Sequence, residues 1–204
     1  PVITVSVAPA DDAVSPKVSA GIVLDVPTAK VRAGAQAAVG VAVHSPAGAI
    51  PTGAVVVSAG GKSVSGTLVG GAATVRLPAL PPGTYDVSAS YGGDGTVGAA
   101  TATAKLRVAK ISPAVTVVLP KSKVTTSQRA VVRVKVVAKG ASRPGGTITV
   151  SVRGKKVKGT VKAGKATVRL PKLAAGNYTV KVVYSGTSLI DKRTRNGVTL
   201  KVTR

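Results

Sequence analysis

Apolar residues occupy every second position in many short stretches of the chain. The stretches 132–136 and 178–184 are clear examples, with Val or Tyr at alternate positions. Gly, Pro, Ser and Asn separate the stretches, and no apolar period of 3.6 residues lasts beyond one turn. Val and Thr dominate, as a half-buried pleated surface favours. The pattern therefore predicts an all-β chain of short strands. The positions predicted to face the core of the second half are Val132, Val134, Val136, Ile148, Val150, Val152, Ala166, Val168, Leu170, Tyr178, Val180, Val182, Tyr184, Val198, Leu200 and Val202.

The chain also repeats itself at an offset of 93 residues. Residues 75–78 (VRLP) recur at 168–171, and the register holds without a gap from about 24 to 93. One inserted residue near the last strand then aligns the two ends. We therefore predict two tandem immunoglobulin-like Greek-key β-sandwiches, domain 1 at 17–110 and domain 2 at 111–204. Because the joint between them is too short to be flexible, we expect an elongated arrangement.

Residues 1–16 precede the repeats. Residues 1–10 have the pattern of one more strand, with 11–16 as a linker. Two interpretations stay open for this strand: it is the end of an upstream repeat, or it is an extra first strand of domain 1. Since the chain begins with Pro1 and contains no Met, we expect it to be a segment of a longer protein. The lack of Cys favours a bacterial origin for a secreted protein.

Three short motifs of the first repeat carry a resemblance to a known family. These are PTGAV at 51–55, GTYDV at 83–87 and YGGD at 91–94. Together they resemble the bacterial Ig-like repeats, which occur in tandem in secreted and surface proteins, notably of actinobacteria. The resemblance implies an extracellular or cell-surface location and a role as spacer, stalk or adhesion module. The second repeat departs from the pattern at 184–187, where the Asp is missing.

The four Tyr residues are predicted to be structural. Tyr85 and Tyr178 each lie two positions after a Gly. In immunoglobulin-like sandwiches a Tyr near the start of strand F hydrogen-bonds through its hydroxyl back to the chain, an arrangement called the tyrosine corner, and we assign these two residues to it. Tyr91 and Tyr184 share the strand parity of Tyr85 and Tyr178, so we expect all four to point inward. The chain has no Phe or Trp.

Few residues could support catalysis or metal binding. The chain has no Cys and one His, and its six acidic residues are all Asp. His44 is predicted at the outward end of a strand, with no nucleophile or orienting acid indicated nearby. Asp94 offers one carboxylate where a calcium loop needs several oxygen ligands, so a tight turn is the better interpretation. We expect a non-enzymatic protein with no catalytic residues, cofactor or metal.

The two halves of the chain differ strongly in net charge. Residues 1–110 contain 8 Lys or Arg and 5 Asp, a net charge of +3, whereas residues 111–204 contain 21 Lys or Arg and 1 Asp, a net charge of +20. Because the two halves share one predicted fold, the fold does not require this charge.

Strand parity places much of the charge on outward positions of domain 2. The runs 132–136, 165–170 and 157–162 would be strands B, E and D of one sheet in an immunoglobulin-like sandwich. Their outward residues then form one basic face, and the outward residues of the other sheet carry less charge. The residues of this predicted basic face are Arg133, Lys135, Lys158, Lys162, Lys165 and Arg169, with Arg153, Lys155 and Lys156 at its edge. The matching positions of domain 1 are Gly40, Ala42, Ser65, Val69, Ala72 and Arg76.

A basic face of this kind favours binding to polyanions. We predict an extracellular structural or adhesion module whose second domain docks on an anionic cell-envelope polymer or acidic polysaccharide. A carbohydrate-recognition accessory of a secreted hydrolase is the first alternative, and it requires an exposed aromatic platform. A structural subunit of a filament or virion is the second, with homo-oligomer contacts through residues 1–10. Nucleic-acid binding would be non-specific. The simplest interpretation of the charge is solubility and protection of strand edges.

Overall fold

The computed structural model describes residues 16–204, and the predicted strand at 1–10 lies outside them. Within the described residues all regular structure is β. The first half contains β1 Gly21–Asp25, β2 Val31–Arg32, β3 Ala37–His44, β4 Ala54–Ala59, β5 Lys62–Thr67, β6 Ala72–Leu77, β7 Gly83–Tyr91 and β8 Ala100–Ala109. The second half contains β9 Ala114–Val118, β10 Lys123–Thr125, β11 Val131–Val137, β12 Thr147–Val152, β13 Lys155–Thr160, β14 Lys165–Arg169, β15 Gly176–Tyr184 and β16 Arg193–Thr203.

Each half forms one three-stranded and one five-stranded sheet. The first half has the orders β1-β3-β6 and β2-β8-β7-β4-β5, and the second half has β9-β11-β14 and β10-β16-β15-β12-β13. The short strands β2 and β10 pair in parallel with β8 and β16. Because strands distant in sequence are neighbours, the chain crosses between sheets as in a Greek-key sandwich. The predicted fold class is confirmed for both halves.

The 93-residue offset is also an offset of strands. β4 and β12 differ by 93 at both ends, and so do β5 and β13, and β7 and β15. The inserted residue lies in β16, where the pairing steps from Val180 opposite Val198 to Val182 opposite Arg195. Three residues of β16 thus span two of β15, which is a β-bulge, and Gly197 within it has φ +95°. The insertion is therefore absorbed without shifting the rest of the strand.

The core lies between the two sheets of each half. In β12 the side chains of Ile148, Val150 and Val152 are buried, while the neighbouring Thr147 is exposed. Of the inward positions predicted for the second half, only Val198 is half-buried rather than buried. Among the described residues the core contains no buried charged or polar residue. Burying each such Val, Leu or Ile stabilises the fold by about 1.5–3 kcal/mol.

The hairpin between β12 and β13 corrects one prediction. Val152 pairs with Lys155, so Arg153 and Gly154 form a two-residue loop, and both have positive φ as a type I′ turn requires. A two-residue loop cannot carry the chain across to the opposite sheet, which packs about 10 Å away. β13 therefore extends the five-stranded sheet beside β12. The prediction that this strand joins β11 and β14 is wrong.

Candidate functional site: the cationic faces of the second half

The outward side of the three-stranded sheet in the second half is basic. Outward side chains of β11 and β14 define what we call the β11–β14 face: Arg133, Lys135, Lys165 and Arg169, all exposed. Lys135 lies directly opposite Lys165, and Arg133 lies opposite Thr167. The sequence prediction placed these four residues on one sheet, and the strand pairing brings them together.

The charges on the β11–β14 face lack partners within the described part of the chain. Among residues 16–204 none of its four side chains forms an ion pair or hydrogen bond. The lone acid of the second half, Asp191, could neutralise only one of the 21 Lys and Arg residues there. Like charges directly opposite on paired strands destabilise a sheet. The arrangement is therefore unfavourable for folding and leaves its positive potential available to a ligand.

The β11–β14 face is a shallow depression rather than a pocket. Val118 of β9 pairs with Arg133 and is 52% exposed at its margin. Lys135, Lys165 and Thr167 line the same hollow. Such an open surface suits an extended chain better than an enclosed small molecule.

The remaining predicted residues are divided between locations. Lys156 and Lys158 belong to β13 and lie on the outer side of the five-stranded sheet. Arg153 lies in the β12–β13 turn, and Lys155 opens β13. Lys162 lies in the turn before β14, where it bridges to Lys165 through two backbone hydrogen bonds.

The single predicted face is thus wrong for Lys156 and Lys158. Parity reports inward or outward orientation and says nothing of which sheet a strand joins. The Arg153-Gly154 turn signal was the clue in the sequence.

The equivalent surface of the first half is nearly neutral. At the positions of Arg133, Lys135 and Lys165 the first half has Gly40, Ala42 and Ala72. The exposed Val23 and Val69 line the same hollow there. The two halves therefore present the same sheet with different chemistry, which makes the first half a natural control.

The tyrosines are packed into the sandwiches rather than displayed. Tyr91, Tyr178 and Tyr184 are buried, and Tyr85 is half-buried. The hydroxyls of Tyr85 and Tyr178 donate to the carbonyl oxygens four residues earlier, each at 2.8 Å, which is the geometry of a tyrosine corner. Burial raises the pKa of Tyr184. No flat exposed ring is available from these four residues, the only aromatics of the chain, to stack on a sugar or base.

Asp94 organises the loop that follows β7. Its carboxylate accepts hydrogen bonds from the backbone N–H groups of Thr52 at 2.9 Å, Thr96 at 2.9 Å and Val97 at 2.8 Å. The Tyr91 hydroxyl also donates to it at 2.9 Å. The Thr52 amide, followed by those of Thr96 and Val97, holds the pKa of Asp94 well below its usual range. The carboxylate is thus fully engaged in joining two loops.

The second half builds the same loop without an acid. Thr187 occupies the Asp94 position, and its hydroxyl oxygen accepts from the N–H groups of Leu189 and Ile190. The Ser185 hydroxyl holds the Thr147 side of the loop. The loop fold therefore does not depend on a carboxylate at this position.

Other candidate chemistry is sparse in the described residues. His44 is exposed at the end of β3. Residues 16–204 bring together no group of three or more His, Cys, Asp or Glu side chains that could hold a metal ion. The same residues include no helix with the length and hydropathy to cross a membrane.

Paired three- and five-stranded sheets in this order define two immunoglobulin-like β-sandwiches in tandem. The chain belongs to the family of bacterial Ig-like domains, group 3, which it matches at residues 24–109 and again at 116–203. Immunoglobulin-like families are typically non-catalytic.

Solved structures share this fold at low sequence identity. Invasin, a bacterial integrin-binding protein, is similar with a TM-score of 0.55 and 16% identity, over 86% of this chain and 39% of the invasin chain. The adhesin InvE of Yersinia pseudotuberculosis has a TM-score of 0.45 and 17% identity, over 88% and 58%. A two-domain fibronectin type III segment of chicken tenascin has 0.48 and 15%, over 87% and 97%. Such identities show the fold alone. A comparison with curated proteins finds no match.

Proposed function

We propose that this chain is a non-enzymatic structural and adhesion module of a bacterial surface or secreted protein. Residues 17–110 and 111–204 are its two folding units. The first is a spacer, and the second holds the module to an anionic polymer of the cell envelope through the β11–β14 face. The observation that carries the proposal is the contrast in net charge between two sandwiches of one fold. Residues 17–110 contain 8 Lys or Arg and 3 Asp, a net charge of +5, whereas residues 111–204 have a net charge of +20.

The contrast is concentrated where a ligand could reach it. Lys135 and Lys165 replace two alanines of the first repeat on paired outward positions, Ala42 and Ala72. Solubility alone would be served by scattered charges of both signs. A surface of one sign that costs folding energy and meets no partner in the described chain instead favours attraction of polyanions.

The chemistry of the face suits repeated phosphate or carboxylate groups. Arg133 and Arg169 offer planar guanidinium groups that bind either anion in a bidentate manner. Along β11, outward residues are spaced by about 7 Å, and neighbouring strands lie about 5 Å apart. Several charges of one flexible polymer strand can therefore be met together. Invasin, an integrin-binding bacterial protein, is an analogy at the level of the fold for the adhesion role proposed here.

A salt series on the full chain tests the proposal. Binding to immobilised poly(glycerol phosphate) teichoic acid and to polygalacturonate is measured by surface plasmon resonance. Replacing Arg133, Lys135, Lys165 and Arg169 with Gln removes four charges. On nucleic acids each phosphate contact steepens the decrease of log K with log salt by roughly 0.7–0.9, so on teichoic acid we expect the slope of the variant to be shallower by about 3.

A matched variant removes the same charge elsewhere. Lys139, Arg143, Lys172 and Lys192 are exposed loop residues of the second half, and Gln at all four leaves the β11–β14 face intact. We expect this variant to keep most of the affinity. Equal losses in both variants would mean that net charge, and not the face, attracts the polymer. Absence of salt-dependent binding by the unmodified chain would overturn the proposal.

A further inference from the structure

The second repeat also presents lysines on its opposite sheet. Lys156 and Lys158 of β13, together with Lys181 of β15, form what we call the lysine cluster, and all three are exposed. Ser151 of β12 pairs with Lys156 on one side and with Lys181 on the other. Cross-strand partners share one face of a sheet, so the three ammonium groups project from the outer side.

The lysine cluster is specific to the second repeat. At the same positions the first repeat has Ser63, Ser65 and Ser88, and the pairing is preserved, with Ser58 between Ser63 and Ser88. A row of three serines has therefore become a row of Lys, Ser and Lys. The lysines at the far end of this sheet, Lys123 and Lys201, have basic counterparts in Lys30 and Arg107 and do not distinguish the repeats.

The spacing of the cluster fits a linear polyanion. Lys156 and Lys181 are two strands apart, or about 10 Å, and Lys158 lies about 7 Å along β13 from Lys156. Among residues 16–204 none of the three forms an ion pair or a hydrogen bond. Three unpaired charges within this distance of one another attract neighbouring anionic groups of one chain.

The two cationic surfaces lie on opposite sides of one sandwich. The β11–β14 face belongs to the three-stranded sheet and the lysine cluster to the five-stranded sheet. The sheets pack about 10 Å apart through the core, and their outer side chains point in opposite directions. A polymer strand lying on one face is therefore kept from the other.

We propose that the lysine cluster is a second polyanion-binding site, and that the second repeat bridges two anionic polymer strands. This inference rests on the proposed docking function and adds that docking is bivalent. The module would then cross-link the polymer network that it binds, through its own second repeat.

A capture experiment on the full chain separates the two proposals. Teichoic acid is immobilised, the protein is bound and washed, and a fluorescent soluble teichoic acid is then added. We expect the unmodified chain to capture the second polymer. Replacement of Lys156, Lys158 and Lys181 with Ser, as in the first repeat, should preserve binding to the surface and abolish the second capture. The variant lacking the β11–β14 charges should bind the surface more weakly, through the lysine cluster alone, and should also fail to capture the second polymer.

Stoichiometry gives an independent measurement. Titration with a short glycerol-phosphate oligomer should give two oligomers bound per chain, and one for either face variant. The loop variant at Lys139, Arg143, Lys172 and Lys192 removes four charges, at least as many as either face variant, and should still bind two. If the unmodified chain binds no polymer, docking itself is refuted. If it binds one oligomer, or if the Lys-to-Ser variant still captures the second polymer, docking stands and bridging is refuted.

Discussion

Two hairpin glycines of the second repeat allow a test of how closely the sandwich is packed at its turns. Gly154 and Gly164 are the second residues of two tight turns, with φ of +73° and +74°. A methyl group at Gly154 would meet no described atom within 4 Å, whereas at Gly164 it would lie 2.6 Å from the carbonyl oxygen of Val136. The two positions share the backbone strain and differ in the contact.

The magnitudes follow from these contacts. Alanine at positive φ destabilises the folded state by about 1–2 kcal/mol. Alanine also makes the unfolded chain less flexible than glycine does, which stabilises the protein by about 0.4–1 kcal/mol. Gly154→Ala should therefore destabilise the second repeat by about 1 kcal/mol. At Gly164 the clash also disturbs the 2.7 Å hydrogen bond from the Val136 N–H to the Gly164 carbonyl oxygen. A disturbed buried hydrogen bond adds about 1–3 kcal/mol, so we expect about 3 kcal/mol in total.

Urea unfolding followed by amide NMR signals measures both variants. Signals of the first repeat serve as the internal reference, and their midpoint should not move. In thermal unfolding, an extra 2 kcal/mol corresponds to a melting temperature lower by roughly 8–16 °C in a domain of this size. If the two variants differ by less than about 0.5 kcal/mol, the close approach at Gly164 does not constrain the fold and the reasoning is refuted.

Three further predictions concern other contacts. Gly159→Ala would place a methyl group 2.5 Å from Val168 Cγ2 and should cost about 1–3 kcal/mol; Val168→Ala in the same chain should relieve the clash, as urea unfolding of the double variant will show. Folding lowers the pKa of Asp94, so the ionised carboxylate stabilises the first repeat fully at neutral pH, and this stabilisation is lost as the pH falls below about 4. Acid titrations should therefore show the free energy of unfolding of the first repeat decreasing in this range, and Asp94→Asn should remove this part of the pH dependence. Tyr184→Phe removes the hydroxyl that donates to the carbonyl oxygen of Gly145. This change should lower the free energy of unfolding by about 1–3 kcal/mol in the same urea assay.

Strand positions and orientations followed from the sequence because they depend on local pattern. The side-chain period of two placed Ile148, Val150 and Val152 in the core, and the structure agrees. The self-similarity of the chain located a one-residue insertion near the last strand. That residue became a bulge near Gly197, since an unpaired extra residue in a ladder is accommodated by local distortion.

The assignment of strands to sheets was decided by tertiary structure. Lys158 and Lys165 both have outward parity, yet they lie on opposite sides of the sandwich because β13 pairs with β12 and β14 pairs with β11. Sheet membership depends on hydrogen bonds between distant segments and on turn geometry, neither of which alternation encodes. The sequence determined that the second repeat is cationic and folded like the first. Only the pairing of its strands decided that the charge forms two surfaces. The reason is that the outer side chains of the two sheets of a sandwich point in opposite directions.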